Sequence, residues 1–106
     1  MPHGYNSSTI QRINLKLIFN LIRKQQSYTR VDLAKKTGLS AATVSNIVNS
    51  LLQIGLLYEY PMETSGVGRR SIGLKINYGR FHIIHLRITS SSIFLGRYDL
   101  QGKQLN

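Results

Sequence analysis

The segment 28–57, YTRVDLAKKTGLSAATVSNIVNSLLQIGLL, constrains the fold more than any other part of the chain. Thr29, followed three residues later by Asp32, is typical of a capping box at a helix start. Gly38 supplies the left-handed residue that ends this short helix, and Ser40 caps a second helix. The apolar residues of the second helix lie at helical spacing: Val44, Ile47, Val48, Leu51 and Leu52. The pattern therefore predicts two helices joined by a tight turn.

A further helix is predicted upstream of this segment. Residues 1–8 are expected to form a flexible arm, and Ser8 or Thr9 to cap a helix that runs to about Gln25. Its apolar residues also fall at helical spacing: Ile10, Ile13, Leu17, Ile18, Leu21 and Ile22. The residues up to Tyr28 are expected to form only a short connection.

The hydrophobic period changes to two after Gly55. Leu56–Tyr60 and Ser71–Ile76 predict two strands of a hairpin, a wing, and Phe81–Thr89 with Ser92–Leu100 predicts a second hairpin. The expected fold class is α+β: a three-helix winged helix-turn-helix with a β-hairpin wing over residues 9–78. A short extra β-hairpin over residues 79–106 follows.

Charge and composition limit the classes of function. The chain has 14 Lys and Arg against 4 Asp and Glu, and a net charge of +10 favours a polyanionic partner. The sequence has no signal-peptide pattern and no apolar run of about 20 residues. We therefore expect a cytoplasmic location and no membrane partner. No catalytic arrangement, phosphate loop or metal-ligand set is recognisable, so we expect neither an enzyme nor a cofactor.

The helix after Ser40 is expected to read bases in the major groove of DNA. The residues predicted for base readout are Ala41, Ala42, Thr43, Ser45, Asn46 and Asn49. Since no charged residue lies between Thr37 and Tyr58, the common contact of arginine to guanine is not available from this helix. Asparagine pairs with adenine, and alanine or a threonine methyl touches thymine, so an A·T-rich half-site is predicted. The alternative is that the asparagines contact only phosphates or water.

The remaining DNA contacts are expected from the wing and from cations around the helices. Arg69 and Arg70, in the sequence GVGRRS, are predicted to enter a narrow minor groove; the alternative is contact with phosphate or with nothing. Phosphate contacts are predicted for side chains and helix starts elsewhere in the chain: Arg12, Thr29, Arg30, Lys35, Lys36, Ser40 and Lys75.

Two stretches resemble a known family. LAKKTGLSAATVSNIVNSLLQIGLLYE, followed by GVGRRSIGLKIN, resembles the N-terminal winged helix-turn-helix of ROK-family transcriptional regulators from about Asn14 to Asn77, with Ser71 in place of the proline of the usual GRRP wing. FHIIHLRITSSSIFLGRYDLQGKQL resembles the first strands of the family's sugar-kinase-like domain. The resemblance implies that residues 79–106 are the start of a truncated domain of this kind. The Asp-Gly-Gly-Thr phosphate loop of the family's kinases is replaced here by residues 88–91, ITSS.

The resemblance implies a regulator that binds double-stranded DNA sequence-specifically, a repressor of carbohydrate-related genes that acts as a homodimer. A sugar effector is expected only if a missing C-terminal domain exists. Two alternatives stay open: a winged-helix module for protein or RNA interaction, and a sugar-kinase fragment, which the missing phosphate loop disfavours. The strands in 81–100 are expected to pair with the wing sheet or with a second chain, since unpaired strand edges tend to find partners.

Overall fold

The computed structural model describes residues 6–25, 28–62 and 71–105. Within them three helices are followed by four strands, and the expected α+β architecture is confirmed. The elements are α1 (Ser7–Lys24), α2 (Arg30–Thr37), α3 (Ala41–Gln53), β1 (Leu57–Pro61), β2 (Ile72–Ile76), β3 (Ile83–Ile88) and β4 (Ile93–Tyr98). No helix in the described ranges is long and apolar enough to cross a membrane.

Contacts divide the chain between Ile76 and Asn77 into two compact units. We call them the helical unit, which contains α1–α3 with β1 and β2, and the hairpin unit, which contains β3 and β4. The sequence-based domain limits, residues 9–78 and 79–106, stay a prediction.

α1 begins earlier than the sequence predicted. Asn6 is its N-cap, because the Asn6 Oδ1 accepts a 2.8 Å hydrogen bond from the Thr9 backbone N–H. The prediction that Ser8 or Thr9 caps this helix is therefore wrong, and Ser7 and Ser8 belong to the helix rather than to an arm. Asparagine caps a helix as well as serine does, so the helix begins after Asn6, closer to the N-terminus than predicted. Residues 1–5 of the predicted arm lie outside the described residues.

The helix-turn-helix forms through the predicted caps. The Thr29 Oγ1 accepts from the Asp32 N–H and the Asp32 carboxylate accepts from the Thr29 N–H, both at 3.1 Å. Gly38 ends α2 in the left-handed conformation with a φ of 75°. Ser40 caps α3, since its Oγ accepts from the Thr43 N–H at 3.1 Å. The capping box, the glycine turn and the serine cap are all confirmed.

The core of the helical unit lies where the three helices meet the β1–β2 sheet. Its buried apolar side chains are Ile18, Ile22, Tyr28, Leu33, Val44, Ile47, Val48, Leu51, Leu57, Leu74 and Ile76. The stripe predicted along α1 is only partly buried, since Ile10, Ile13 and Leu17 are each more than two-fifths exposed. The buried members, Ile18 and Ile22, lie in the C-terminal half of α1, so only that half of the stripe enters the core.

Tyr28 ties the connection between α1 and α2 to the wing sheet. Its carbonyl oxygen accepts a 2.8 Å hydrogen bond from the Leu74 N–H, which adds an isolated bridge beside β2. Its hydroxyl donates to the Gln25 Oε1, and the whole residue is only 5% exposed. The sequence predicted no more than a short connection here, because a pairing across 46 positions leaves no local pattern.

β1 and β2 form the predicted antiparallel wing hairpin, with a register from Leu57 opposite Ile76 to Pro61 opposite Ile72. Leu57, Leu74 and Ile76 on one face enter the core. The opposite face carries Tyr58, Tyr60 and Lys75. Residues 63–70, between the two strands, lie outside the described part of the chain.

β3 and β4 form the predicted second hairpin, with Ile83 opposite Tyr98 and Ile88 opposite Ile93. The expectation that these strands pair with the wing sheet is wrong for the described residues, since β1–β2 and β3–β4 are separate two-stranded sheets. One edge of the hairpin is instead used by the chain itself, where Tyr98 bridges to Gln104 and the Leu105 N–H donates to the Arg97 carbonyl.

Candidate nucleic-acid interface

The outward face of α3 carries the side chains that the sequence predicted for base contacts. Four of the six are exposed: Ala41, Ala42, Asn46 and Asn49. Ser45 and Thr43 are half-buried. The Thr43 hydroxyl accepts a 2.9 Å hydrogen bond from the Ser40 Oγ, and Thr43 lines a cleft between α1 and α3. The exposed side chains of α3 are therefore two methyl groups and the two asparagine amides, with Ser50 and Gln53 further along the helix.

The two amides differ in their surroundings. No side chain among the described residues hydrogen-bonds to the Asn46 amide, so its oxygen and its nitrogen both remain open to a base. The Asn49 Oδ1 accepts a 3.2 Å hydrogen bond from the Arg30 Nη2. The two asparagines thus offer different hydrogen-bonding groups, although the sequence assigned them one role.

Arg30 lies inside a network rather than free on the surface. Besides Asn49 it contacts Glu59 on β1, with 2.9 Å between the Arg30 Nη1 and the Glu59 Oε2. The two side chains are 31% and 42% exposed. The sequence predicted Arg30 as a phosphate contact, but both of its terminal nitrogens are engaged by neighbouring side chains.

The other cations predicted for phosphate contact on the helices are free of such pairing. Arg12 on α1 and Lys35 and Lys36 at the end of α2 are exposed, and none forms an ion pair with the described residues. Long exposed cations of this kind are suited to contacts with a phosphate backbone.

The hydroxyl groups of Thr29 and Ser40, predicted to contact phosphate, are used as helix caps. Both hydroxyl oxygens accept backbone N–H groups as caps, and the Ser40 hydroxyl also donates to Thr43. The groups left for an anion at these helix starts are the backbone N–H groups of the first turn.

Lys75 is held on the outer face of the wing sheet. Its Nζ lies 4.3 Å from the centre of the Tyr60 ring, a cation–π contact. The ring reaches Lys75 across Gly73, where an added Cβ would stand 2.5 Å from the Tyr60 Cζ. The absence of a side chain at residue 73 therefore makes this contact possible.

Arg69 and Arg70, predicted to enter the minor groove, lie outside the described residues. The strands on either side of them are described, and the Met62 N–H donates to the Ser71 carbonyl at 2.8 Å. Both ends of the intervening segment are thus fixed beside each other.

Residues 11–58 match the family described as winged helix-turn-helix DNA-binding. The chain is 30% identical over 95 residues to the DNA-binding transcriptional repressor Mlc of Escherichia coli K12, covering 89% of this chain and 23% of that protein. It is 35% identical over 93 residues to the xylose repressor of Bacillus spizizenii W23, covering 88% and 24%.

A solved structure agrees with these relatives. The crystal structure of a ROK family transcriptional regulator, a homologue of E. coli Mlc, superposes with a TM-score of 0.75 at 25% identity, covering 92% of this chain and 25% of that one. The chain is similar to ROK family regulators in its winged helix-turn-helix. It spans about a quarter of the length of these ROK relatives.

The contacts of Arg30 with Glu59 and Asn49 are an arrangement that the sequence does not reveal. Glu59 was noticeable only as one of four acidic residues in the chain, and nothing in the sequence linked it to Arg30 or Asn49. The sequence separations of 29 and 19 residues exceed the reach of any local pattern. A useful signal was the scarcity of acids itself, since a carboxylate in so basic a chain readily finds a cation.

Proposed function

We propose that this chain is the DNA-binding region of a transcriptional repressor of carbohydrate-related genes. The observation that carries the proposal is the uncharged, exposed face of α3 on a winged helix-turn-helix framework whose cations Arg12, Lys35 and Lys36 are also exposed. The names of the relatives, which include a xylose repressor and an N-acetylglucosamine repressor, support the class of regulated genes.

In the proposed complex α3 lies in the major groove. Asn46 contacts adenine through both atoms of its amide, and the methyl groups of Ala41 and Ala42 lie against thymine methyl groups. Because α3 has no charged side chain, the half-site it reads is rich in A·T pairs. Thr43 and Ser45 shape the edge of this surface.

The wing and the surrounding cations complete the proposed contact. Arg69 and Arg70 enter the adjacent minor groove, which is narrow and strongly negative in A·T-rich DNA. Arg12, Lys35, Lys36 and Lys75, with the helix starts at Thr29 and Ser40, hold the phosphates on either side.

The assembly and the wider role are part of the same proposal. A homodimer on a two-fold operator matches the usual use of this motif, in which two half-sites are bound at once. A sugar effector acts only if a further C-terminal domain belongs to the protein. We propose a cytoplasmic location, where the DNA of a bacterium lies. We propose no enzymatic activity for these residues.

Selection of bound sequences from randomised duplex DNA tests the proposal. We expect an A·T-rich consensus with two half-sites related by a two-fold axis. A G·C-rich consensus would contradict the proposed readout by α3. Gel-shift titrations with duplex DNA, single-stranded DNA and RNA provide the comparison: preference for RNA, or no enrichment of any sequence, would favour a winged-helix module for RNA or protein interaction.

A further inference from the structure

Arg30 joins three elements of the helical unit at one point. It is the first residue of α2, and its guanidinium contacts Glu59 on β1 at 2.9 Å and Asn49 on α3 at 3.2 Å. A guanidinium is planar and presents its N–H donors in fixed directions, so a single side chain serves both acceptors. α2, β1 and the exposed face of α3 are therefore linked through one rigid group.

The chemistry of arginine determines how the Asn49 amide is turned. A guanidinium carries donors only, so an asparagine faces it with its carbonyl oxygen. The Asn49 Oδ1 accordingly lies at Arg30, and the Asn49 Nδ2, with its two N–H donors, is turned away from it. An amide without such a partner can turn over and offer either atom. Arg30 therefore fixes the Asn49 amide in one orientation, whereas the Asn46 amide can adopt either.

Glu59 holds Arg30 in this arrangement. An ion pair as exposed as this one adds little to the stability of the fold, so its main effect is on the geometry and charge of the guanidinium. The carboxylate partly neutralises Arg30, which makes Arg30 a weaker phosphate ligand than Lys35 and Lys36, neither of which forms an ion pair with a described residue.

We propose that Arg30 is a positioning residue for base recognition, which holds Asn49 as a hydrogen-bond donor so that Asn49 disfavours cytosine at its position. The inference rests on the proposed function, because it requires α3 to lie in the major groove. Cytosine presents its N4 amino donor there, whereas guanine presents the acceptors N7 and O6. A fixed donor therefore meets another donor at cytosine and finds acceptors at guanine.

The test uses the full chain and the duplex site obtained by selection, with each position replaced in turn by the other three base pairs. At one position the wild type is expected to bind the best base about fivefold more tightly than cytosine, the discrimination of one hydrogen bond. Arg30→Met removes the donors and keeps a long side chain. It is expected to reduce this preference to roughly twofold or less and to leave the other positions unchanged.

Asn49→Asp provides a second, independent variant. A carboxylate still accepts from Arg30, but it replaces the outward donor with an acceptor. The preference at the same position is expected to move toward cytosine, whose amino group donates to a carboxylate. Since Asn49 is exposed, this variant tests the proposal even if Arg30→Met fails to fold. If Asn49→Asp leaves the base preference at that position unchanged, the proposal is wrong.

Lys35→Met is the matched control, because it removes an exposed cation from the same helix. It is expected to weaken binding by a similar factor on every site and to reduce the salt slope by about one. If Arg30→Met behaves in the same way, Arg30 is a phosphate contact and the inference is wrong. Failure of the wild type to select any DNA would instead overturn the proposed function, and this inference with it.

Discussion

At the residue scale the distinction between Asn46 and Asn49 matters most for recognition. They lie three positions apart on one exposed face, yet Arg30 engages only Asn49. An amide that reads adenine needs its oxygen and its nitrogen together at the edge of the base. No described side chain hydrogen-bonds to the Asn46 amide, and we therefore propose that Asn46 makes the adenine contact.

Asn46→Ala should remove this contact while leaving the fold intact, since the side chain is exposed. The expected loss is about 1–3 kcal/mol of binding free energy on the selected site, with relaxed preference at one adenine position. Competitive titrations against single-base variants of the site measure both effects. Gln53→Ala, an exposed change at the end of α3, serves as the control and should bind normally. Unaltered adenine preference in Asn46→Ala would refute the assignment.

At the element scale the turn between α2 and α3 decides how the reading helix is presented. Gly38 has a φ of 75°, and no neighbouring atom lies within 4 Å of the position that a Cβ would take. The requirement for glycine is thus purely a backbone requirement, because a side chain in the left-handed region is strained even where space is open. The caps at Thr29 and Ser40 then set where each helix begins.

Gly38→Ala is expected to lower the free energy of unfolding by about 1 kcal/mol, the cost of a side chain in the left-handed conformation. Urea denaturation followed by circular dichroism measures the change. Gly79→Ala is the matched control, since Gly79 also has open space around it but no positive φ. It should stay within about 0.5 kcal/mol of the wild type. Equal effects of both substitutions would show that the backbone conformation at Gly38 is not the cause.

At the scale of the whole molecule, the positive charge lies entirely outside the proposed reading helix. The net charge of +10 comes from residues outside α3, which has no charged side chain. In the proposed complex, affinity and specificity are therefore carried by separate groups: cations for the phosphates and uncharged side chains for the bases.

This separation predicts a steep dependence of DNA binding on salt. With the four cations Arg12, Lys35, Lys36 and Lys75 on phosphates, the logarithm of the binding constant should fall against the logarithm of salt concentration with a slope of about −4 per chain. Fluorescence anisotropy between low and moderate salt measures this slope. A slope near zero would exclude these lysines and Arg12 as phosphate contacts.

The hairpin unit is expected to be the less stable part of the molecule. Apolar side chains of both strands, including Ile84, Leu86, Ile93 and Leu95, are more than half exposed, and a lone hairpin in water is only marginally stable. Native-state hydrogen exchange should therefore give lower protection for amides of β3 and β4 than for those of buried α3 residues such as Val48. Equal protection in the two units would disprove this difference.

The sequence by itself determined which elements this protein forms and, for α2 and α3, where the helices begin. Local sequence patterns predict features that depend on hydrogen bonds or side-chain periods within a few residues. These features are the capping box at Thr29, the turn at Gly38, the stripe of α3 and both hairpins. The start of α1 was mispredicted by a few positions, because Asn6 and Ser8 are equally good caps. The residues proposed for the wing, Arg69 and Arg70, stay predictions.

Only the tertiary structure decided what the exposed side chains can do. Arg30 changed from a free cation to a partner of Asn49 and Glu59 because α2, α3 and β1 pack together, 19 and 29 positions apart in the chain. In the same way, Tyr28 joined the wing sheet through Leu74, and Lys75 came to lie over Tyr60. Such contacts arise from the packing of whole elements, and the packing depends on the shape of the entire core rather than on any nearby residue.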